Sequence, residues 1–131
     1  MAKWNFQMDH VTTGMSDLDK YQQQAKRTAI FPQDKALEYL ALKLCGESGE
    51  VAEKIGKSIR DNKIVDITDL AKELGDVLWY VANLADHLGY DLSEVADMNL
   101  VKLADRQQRG VLGGSGEIGR ASCRERVLLM V

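Results

Sequence analysis

From Asp34 to Arg60, and again from Ile67 to His87, apolar residues recur every three or four positions, and the only proline of the chain, Pro32, lies outside both stretches. A spacing of three and four keeps side chains on one side of an α-helix, whereas a strand would require alternation. Runs of β-branched residues are absent as well, so the pattern predicts an all-α protein. Four helices can be marked off. The first runs from about Asp17 to Ile30, with Ser16 as N-cap, an inner face of Leu18, Tyr21, Ala25, Thr28 and Ala29, and a stop imposed by Pro32. The second runs from about Asp34 to Arg60, where Asp61-Asn62 breaks it, with Leu37, Leu40, Ala41, Leu44, Val51, Ile55 and Ile59 at helical spacing and Cys45 within the stripe. The third runs from about Ile67 to His87, capped by Asp66 and ended by Gly89, and Leu70, Leu74, Val77, Leu78, Val81, Leu84 and Leu88 give it the strongest apolar stripe of the chain. The fourth opens on Asp91-Leu92-Ser93-Glu94, which fits a capping box, and Gly110 is a ready C-cap. Short connections predict antiparallel neighbours in a four-helix bundle.

At 131 residues there is room for one core but not for two. A net charge of -3 gives no bulk attraction to nucleic acid or anionic lipid. The N-terminus, MAKWNFQMDH, has no apolar signal segment, and nothing in the chain is apolar for long enough to span a membrane. Two cysteines, Cys45 and Cys123, form neither a disulfide framework nor a zinc pattern, which points to a reducing, cytoplasmic compartment. The expected domain spans 16–112, preceded by an extension over 1–15 in which Met8 and Met15 are further candidate starts. A glycine-rich linker then opens a segment over 113–131. Its stretch from Glu117 to Val127 resembles a translated sequencing adapter, so it carries no weight in the functional reading.

Two acidic motifs stand out on this helical frame. Glu47-Ser48-Gly49-Glu50 and Glu73-Leu74-Gly75-Asp76 each set two carboxylates three positions apart, about one turn along a helix. Two such helices side by side would direct four carboxylates at one point. Like charges repel unless a cation lies between them, and the hard divalent ion Mg²⁺, with Mn²⁺ as a substitute, takes oxygen ligands while keeping positions for water and phosphate. Gly46 and Gly49 interrupt the second helix, which predicts close packing or room for a ligand beside Glu47 and Glu50.

Three polar stripes extend the picture. Glu47, Glu50, Lys54 and Lys57 form one course on the second helix, with Glu53 one turn from Glu50. Glu73, Asp76, Tyr80, Asn83 and His87 form another on the third, and Asn99, Lys102, Arg106 and Arg109 a third on the fourth. Each alone is a solvated face; together they match a phosphate–metal site in which carboxylates hold the metal and Lys and Arg take the remaining negative charge. A di-iron site would need Glu-x-x-His pairs, and neither His10 nor His87 has a Glu three residues before it. His87 is expected at a helix end and Trp79 in the core. There is no Walker-type phosphate loop.

The segments Leu44–Glu53, Glu73–Tyr80 and Asn99–Arg106 closely resemble the MazG-like all-α nucleoside triphosphate pyrophosphohydrolases. The resemblance extends over about Tyr21 to Gly116. That family's signature is written E-E-x-x-E followed by E-x-x-D. Glu47 and Glu50 match its second and third acids, and Gly46 stands where the first would be. The resemblance implies a dimer or tetramer that uses Mg²⁺ to cleave a nucleoside triphosphate into monophosphate and pyrophosphate, clearing aberrant or excess nucleotides. It implies Glu47, Glu50, Glu73 and Asp76 as metal ligands, with Glu53 or one of these four as proton acceptor. Lys54, Lys57, Tyr80, Asn99, Lys102 and Arg106 would lie toward the substrate. Two rivals remain at this point: a nucleotide or alarmone binder that has lost turnover, for which Gly46 is the hint, and a helical interaction module with solvated acidic faces.

Overall fold

Asp66 caps the start of the third helix. Its carboxylate accepts from the backbone N–H groups of Thr68 and Asp69, which satisfies two donors that a helix start leaves open. In the computed structural model, which describes residues 14–113, the elements are α1 (Asp17–Arg27), a 3₁₀ turn (Gln33–Lys35), α2 (Ala36–Arg60), α3 (Ile67–His87) and α4 (Leu92–Gln108). The all-α expectation holds, and no strand occurs among the described residues. Residues 1–13 of the expected extension over 1–15, and the adapter-like segment, lie outside the described residues.

The last three helices end by one device. The residue after each cap has a positive φ: Asn62 at 47°, Gly89 at 81° and Gly110 at 68°. Backbone N–H groups then fold back onto the last open carbonyls, Lys63 N to Ser58 O, Tyr90 N to Ala85 O and Val111 N to Arg106 O, each at 3.0 Å. Asn and Gly reach this left-handed region with least strain, which is why these positions stop the helices. α1 ends three residues earlier than its apolar pattern suggests. Thr28 places both its N–H and its hydroxyl on the Ala25 carbonyl, at 3.1 and 2.9 Å, and so closes the helix before Pro32 is reached.

α2 and α3 pack together along their length, and α1 packs on α3. Contacts run from Lys54 against Asp69 to Lys43 near Tyr80, so the two long helices are antiparallel. The described residues divide into two units, one ending at Val95 and the other beginning at Ala96, so that the division lies inside α4. In the first unit Ala25, Ala82, Ala85 and Leu92 form the buried centre, with Tyr21, Trp79, Val81 and Val95 against it. Trp79 is only half-buried, and its indole N–H donates to Thr28 Oγ1 at 2.8 Å.

Gln22 was not part of the expected inner face, yet it is buried and fully bonded. Its Nε2 donates to Ala82 O and Tyr90 O, at 3.1 and 3.0 Å, and its Oε1 accepts from Leu92 N at 3.0 Å. One side chain thus joins α1, the end of α3 and the start of α4. Asp19 adds a second tie by accepting from the N–H and hydroxyl of Ser93, at 2.9 and 2.8 Å. The Ser16 hydroxyl first, and these Ser93 bonds after it, hold the Asp19 carboxyl below its usual range. Of the capping box read at α4, the bond back to the cap is present, with Asp91 N–H donating to Glu94 Oε2 at 2.8 Å.

Several expected core residues remain at the surface of the single chain. Ile59 of α2 is about three-quarters exposed, Leu74 and Leu88 of α3 are more than half exposed, and Cys45, expected within the apolar stripe, is exposed. α2 shows one side to α3, and its apolar residues extend around more than that side, so a single neighbour covers only part of them.

Candidate active site

The two acidic motifs meet across the α2–α3 contact. One carboxylate oxygen each from Glu47, Glu73 and Asp76 come within 4.8 Å of one another. Glu73 and Asp76 are one turn apart on α3, and Glu47 faces them from α2. Three oxygen donors from two rigid helices are a suitable set for a hard divalent cation. The charges also resist one another. The Asp76 carboxyl is held above its usual range first by partial burial and then by the charges of Glu47 and Glu73. A cation at the centre would relieve that repulsion, so the residues present fit a metal.

Glu50 stands outside this group. Three residues turn a helix by about 300°, so Glu50 lies roughly 60° around α2 from Glu47, and its side chain is exposed. The gathered set is three carboxylates rather than the expected four. Glu53 is also exposed and is paired with Lys57 at 2.8 Å. Neither Gly46 nor Gly49 is explained by close packing, since a Cβ on either would meet nothing within 4 Å.

Two lysines flank the carboxylates. Lys43 Nζ is 3.1 Å from Glu47 Oε1, and Lys54 Nζ is 3.1 Å from Glu73 Oε1 and also bonded to Asp69 Oδ2. Lys43 and Asp69 did not figure in the sequence reading. Their signal was available: Lys43 precedes Glu47 by four residues, and Asp69 precedes Glu73 by four, the spacing of neighbours on a helix face. Lys54 and Lys57 help line a cleft of about 290 Å³ at the α2–α3 turn, together with Ser58, Lys63, Asp66 and Asp69.

Aromatic rings border the site. Lys43 Nζ lies 5.7 Å from the centre of the Tyr80 ring, and Trp79 meets Tyr80 edge-on with centroids 4.8 Å apart. Burial pushes the Tyr80 hydroxyl up, with Lys43 pulling the other way. Tyr21 of α1 is also raised, first by burial and then by the nearby Asp76 charge, which brings α1 to the edge of the site. Asn83, expected on the polar stripe, is instead buried and donates to Trp79 O at 2.9 Å. His87 is exposed in the last turn of α3. Asn99 and Lys102 are exposed and Arg106 half-buried, all on the part of α4 that belongs to the second unit.

The profile of the MazG nucleotide pyrophosphohydrolase domain matches residues 35–111, which takes in α2, α3 and α4. The chain belongs to this family. The match contains both acidic motifs and the two lysines beside them. The chain is also similar to the Gene 37 protein of Mycobacterium phage L5, at 44% identity over 110 residues, covering 76% of this chain and 96% of the phage protein. No solved structure matches it significantly. MazG membership, an all-α fold and a carboxylate group able to hold a divalent cation are thus consistent with nucleotide pyrophosphohydrolase-type chemistry. No helix among the described residues is long and apolar enough to cross a membrane.

Proposed function

We propose that the chain is a Mg²⁺-dependent nucleoside triphosphate pyrophosphohydrolase, releasing nucleoside monophosphate and pyrophosphate in the upkeep of the nucleotide pool. The observation that carries this reading is the convergence of Glu47, Glu73 and Asp76 from two helices in a MazG domain. When bound, the cation would polarise a phosphoryl oxygen and lower the pKa of a coordinated water. Glu47, Glu73 and Asp76 would hold it, with Mn²⁺ as an alternative occupant, and Glu50 lies within a turn on the open side. Water adds to phosphorus as the bond joining the α- and β-phosphates breaks. A carboxylate not committed to the cation, Glu50 or Glu53, takes the proton. Lys54, Lys57, Lys102 and Arg106 offset charge on the pyrophosphate, Asn99 contacts a phosphate, and Tyr80 borders the substrate.

The functional domain in this reading is 16–112, acting in a reducing cytoplasm as a dimer or tetramer. The large apolar side chains that one chain leaves exposed, Leu42, Ile59 and Leu74 among them, support self-association, because burying them against a second copy removes apolar area from water.

The test is pyrophosphate release across a panel of ribo- and deoxyribonucleoside triphosphates with Mg²⁺. An enzyme releases pyrophosphate from at least one of them. A nucleotide or alarmone binder, the reading favoured by Gly46 in place of the first acid, shows only saturable stabilisation. A helical interaction module shows neither.

A further inference from the structure

Lys43 and Lys54 lie on the α3-facing side of α2, before and after Glu47, and each ammonium has two partners. Lys43 touches Glu47 at 3.1 Å and stands over the Tyr80 ring at 5.7 Å. Lys54 touches Glu73 at 3.1 Å and bonds Asp69 as well. In each case one partner belongs to the gathered carboxylates and the other does not. A carboxylate oxygen that accepts an ammonium proton has less lone-pair density to offer a metal. A divalent ion seated among these oxygens would also lie within a few ångströms of two positive charges, where repulsion is large even at a moderate effective dielectric. The outer partners make yielding easy. An ammonium that leaves Glu47 keeps the electron-rich face of Tyr80, and one that leaves Glu73 keeps the Asp69 carboxylate.

We propose that Lys43 and Lys54 are exchangeable counter-ions of Glu47 and Glu73, which a divalent cation displaces toward Tyr80 and Asp69, so that the arriving cation presents two ammoniums to the phosphates of the nucleotide. This deepens the proposed function and rests on its metal site. Lys54 and Asp69 both line the cleft at the α2–α3 turn, so an ammonium that has left Glu73 for Asp69 stays beside space that a phosphate can enter. Linkage then requires reciprocity: the cation improves phosphate binding through the lysines, and phosphate improves cation binding by the same factor. Without nucleotide, the two lysines act as competitors of the cation.

The experiment is Mn²⁺ binding to the full chain, followed by electron paramagnetic resonance at low ionic strength without nucleotide. Lys43→Met and Lys54→Met keep the length of the stem and remove the charge. Each is expected to bind Mn²⁺ about threefold tighter than the unaltered chain, the size of a part-exposed ion pair. Lys54→Arg, which keeps the pair, is expected to return to the unaltered affinity. Lys26→Met, on α1 and paired with Asp86 at 2.8 Å, is expected to leave it unchanged. At saturating Mn²⁺, a nucleoside triphosphate analogue with a methylene bridge between its α- and β-phosphorus is expected to bind Lys43→Met and Lys54→Met at least threefold more weakly. Unchanged or weaker Mn²⁺ binding in both Met variants overturns the proposal, because the lysines then position the carboxylates rather than compete for them. Equal tightening in Lys26→Met also overturns it, because net charge alone would then be responsible. Glu73→Gln separates the two levels. If it abolishes Mn²⁺ binding while the Met variants do not tighten, the counter-ion role alone fails. If it binds Mn²⁺ like the unaltered chain, the metal site fails and the proposal with it.

Discussion

Replacing Gln22 by Met should destabilise the fold severely while leaving the carboxylate site in place. Met has nearly the length of Gln but neither donates nor accepts strongly, so the change isolates the polar role of a buried side chain. Three hydrogen bonds disappear, to Ala82 O, Tyr90 O and Leu92 N. Ala82 O lies within α3 and keeps its helical partner, so its loss is modest. Tyr90 O and Leu92 N lie at the α3–α4 connection and the first residue of α4, and Met would cover both without bonding them. Leu92 N is buried and costs about 1–3 kcal/mol when unmet, and the part-buried Tyr90 O costs less, so the sum is roughly 3 kcal/mol. For a domain of about 100 residues that corresponds to a melting temperature lower by roughly 12–24 °C. Urea unfolding followed by circular dichroism, at matched protein concentration, gives the value directly. Below the new transition the Mn²⁺ affinity should be unchanged, because Glu47, Glu73 and Asp76 are set by the α2–α3 contact. A loss of less than about 1 kcal/mol would refute the reasoning, as it would mean that Gln22 is not the tie between α1, α3 and α4.

In the presence of a chelator, Asp76→Asn should raise the melting temperature, because it removes a carboxylate that Glu47, Glu73 and partial burial all disfavour in its charged form; scanning calorimetry checks the direction. Millimolar Mg²⁺ should stabilise the unaltered chain, by about 1.4 kcal/mol at ten times the dissociation constant, and should stabilise Asp76→Asn less. Asp19→Ala should lower stability near pH 7 and lose its effect in acid: the folded carboxyl titrates below its unfolded value, so its contribution is present above the usual carboxylate range and vanishes as pH falls through the folded pKa, which melting curves between pH 2.5 and 7 would show. Lys102→Ala should act mainly on KM in a pyrophosphate-release assay, since it removes a contact to charge already present in the bound substrate.

The helices were legible because their ends carry local chemistry. Asp66, Asp91 with Glu94, Asn62, Gly89 and Gly110 each bond or bend the backbone within a few residues, so the sequence window contains the whole cause. Gln22 was not legible because its partners lie 60 or more residues away. Asn83 misled for a related reason: a polar residue at the spacing of a solvated stripe is buried by donating to its own helix at Trp79 O. The motif spacing brought Glu47, Glu73 and Asp76 forward, but it treated Glu50 as equivalent to Glu47. An i, i+3 pair shares a face only to within about 60°, and that offset separates an oxygen aimed at α3 from one in solvent. Cys45 and Ile59 show the limit of apolar period, which marks surfaces to be covered without naming what covers them.

The central claim is that Glu73 and Asp76, with Glu47, form the metal-holding centre of a pyrophosphohydrolase. Its most direct test is steady-state pyrophosphate release, with Mg²⁺ and with chelator, from the unaltered chain and from Glu73→Gln and Asp76→Asn, on the best substrate of the nucleotide panel. The account predicts release that requires the cation and falls by about a hundredfold or more in kcat in each variant, with helical circular dichroism retained. Near-unaltered rates in both variants, or release that is indifferent to chelator, would contradict it.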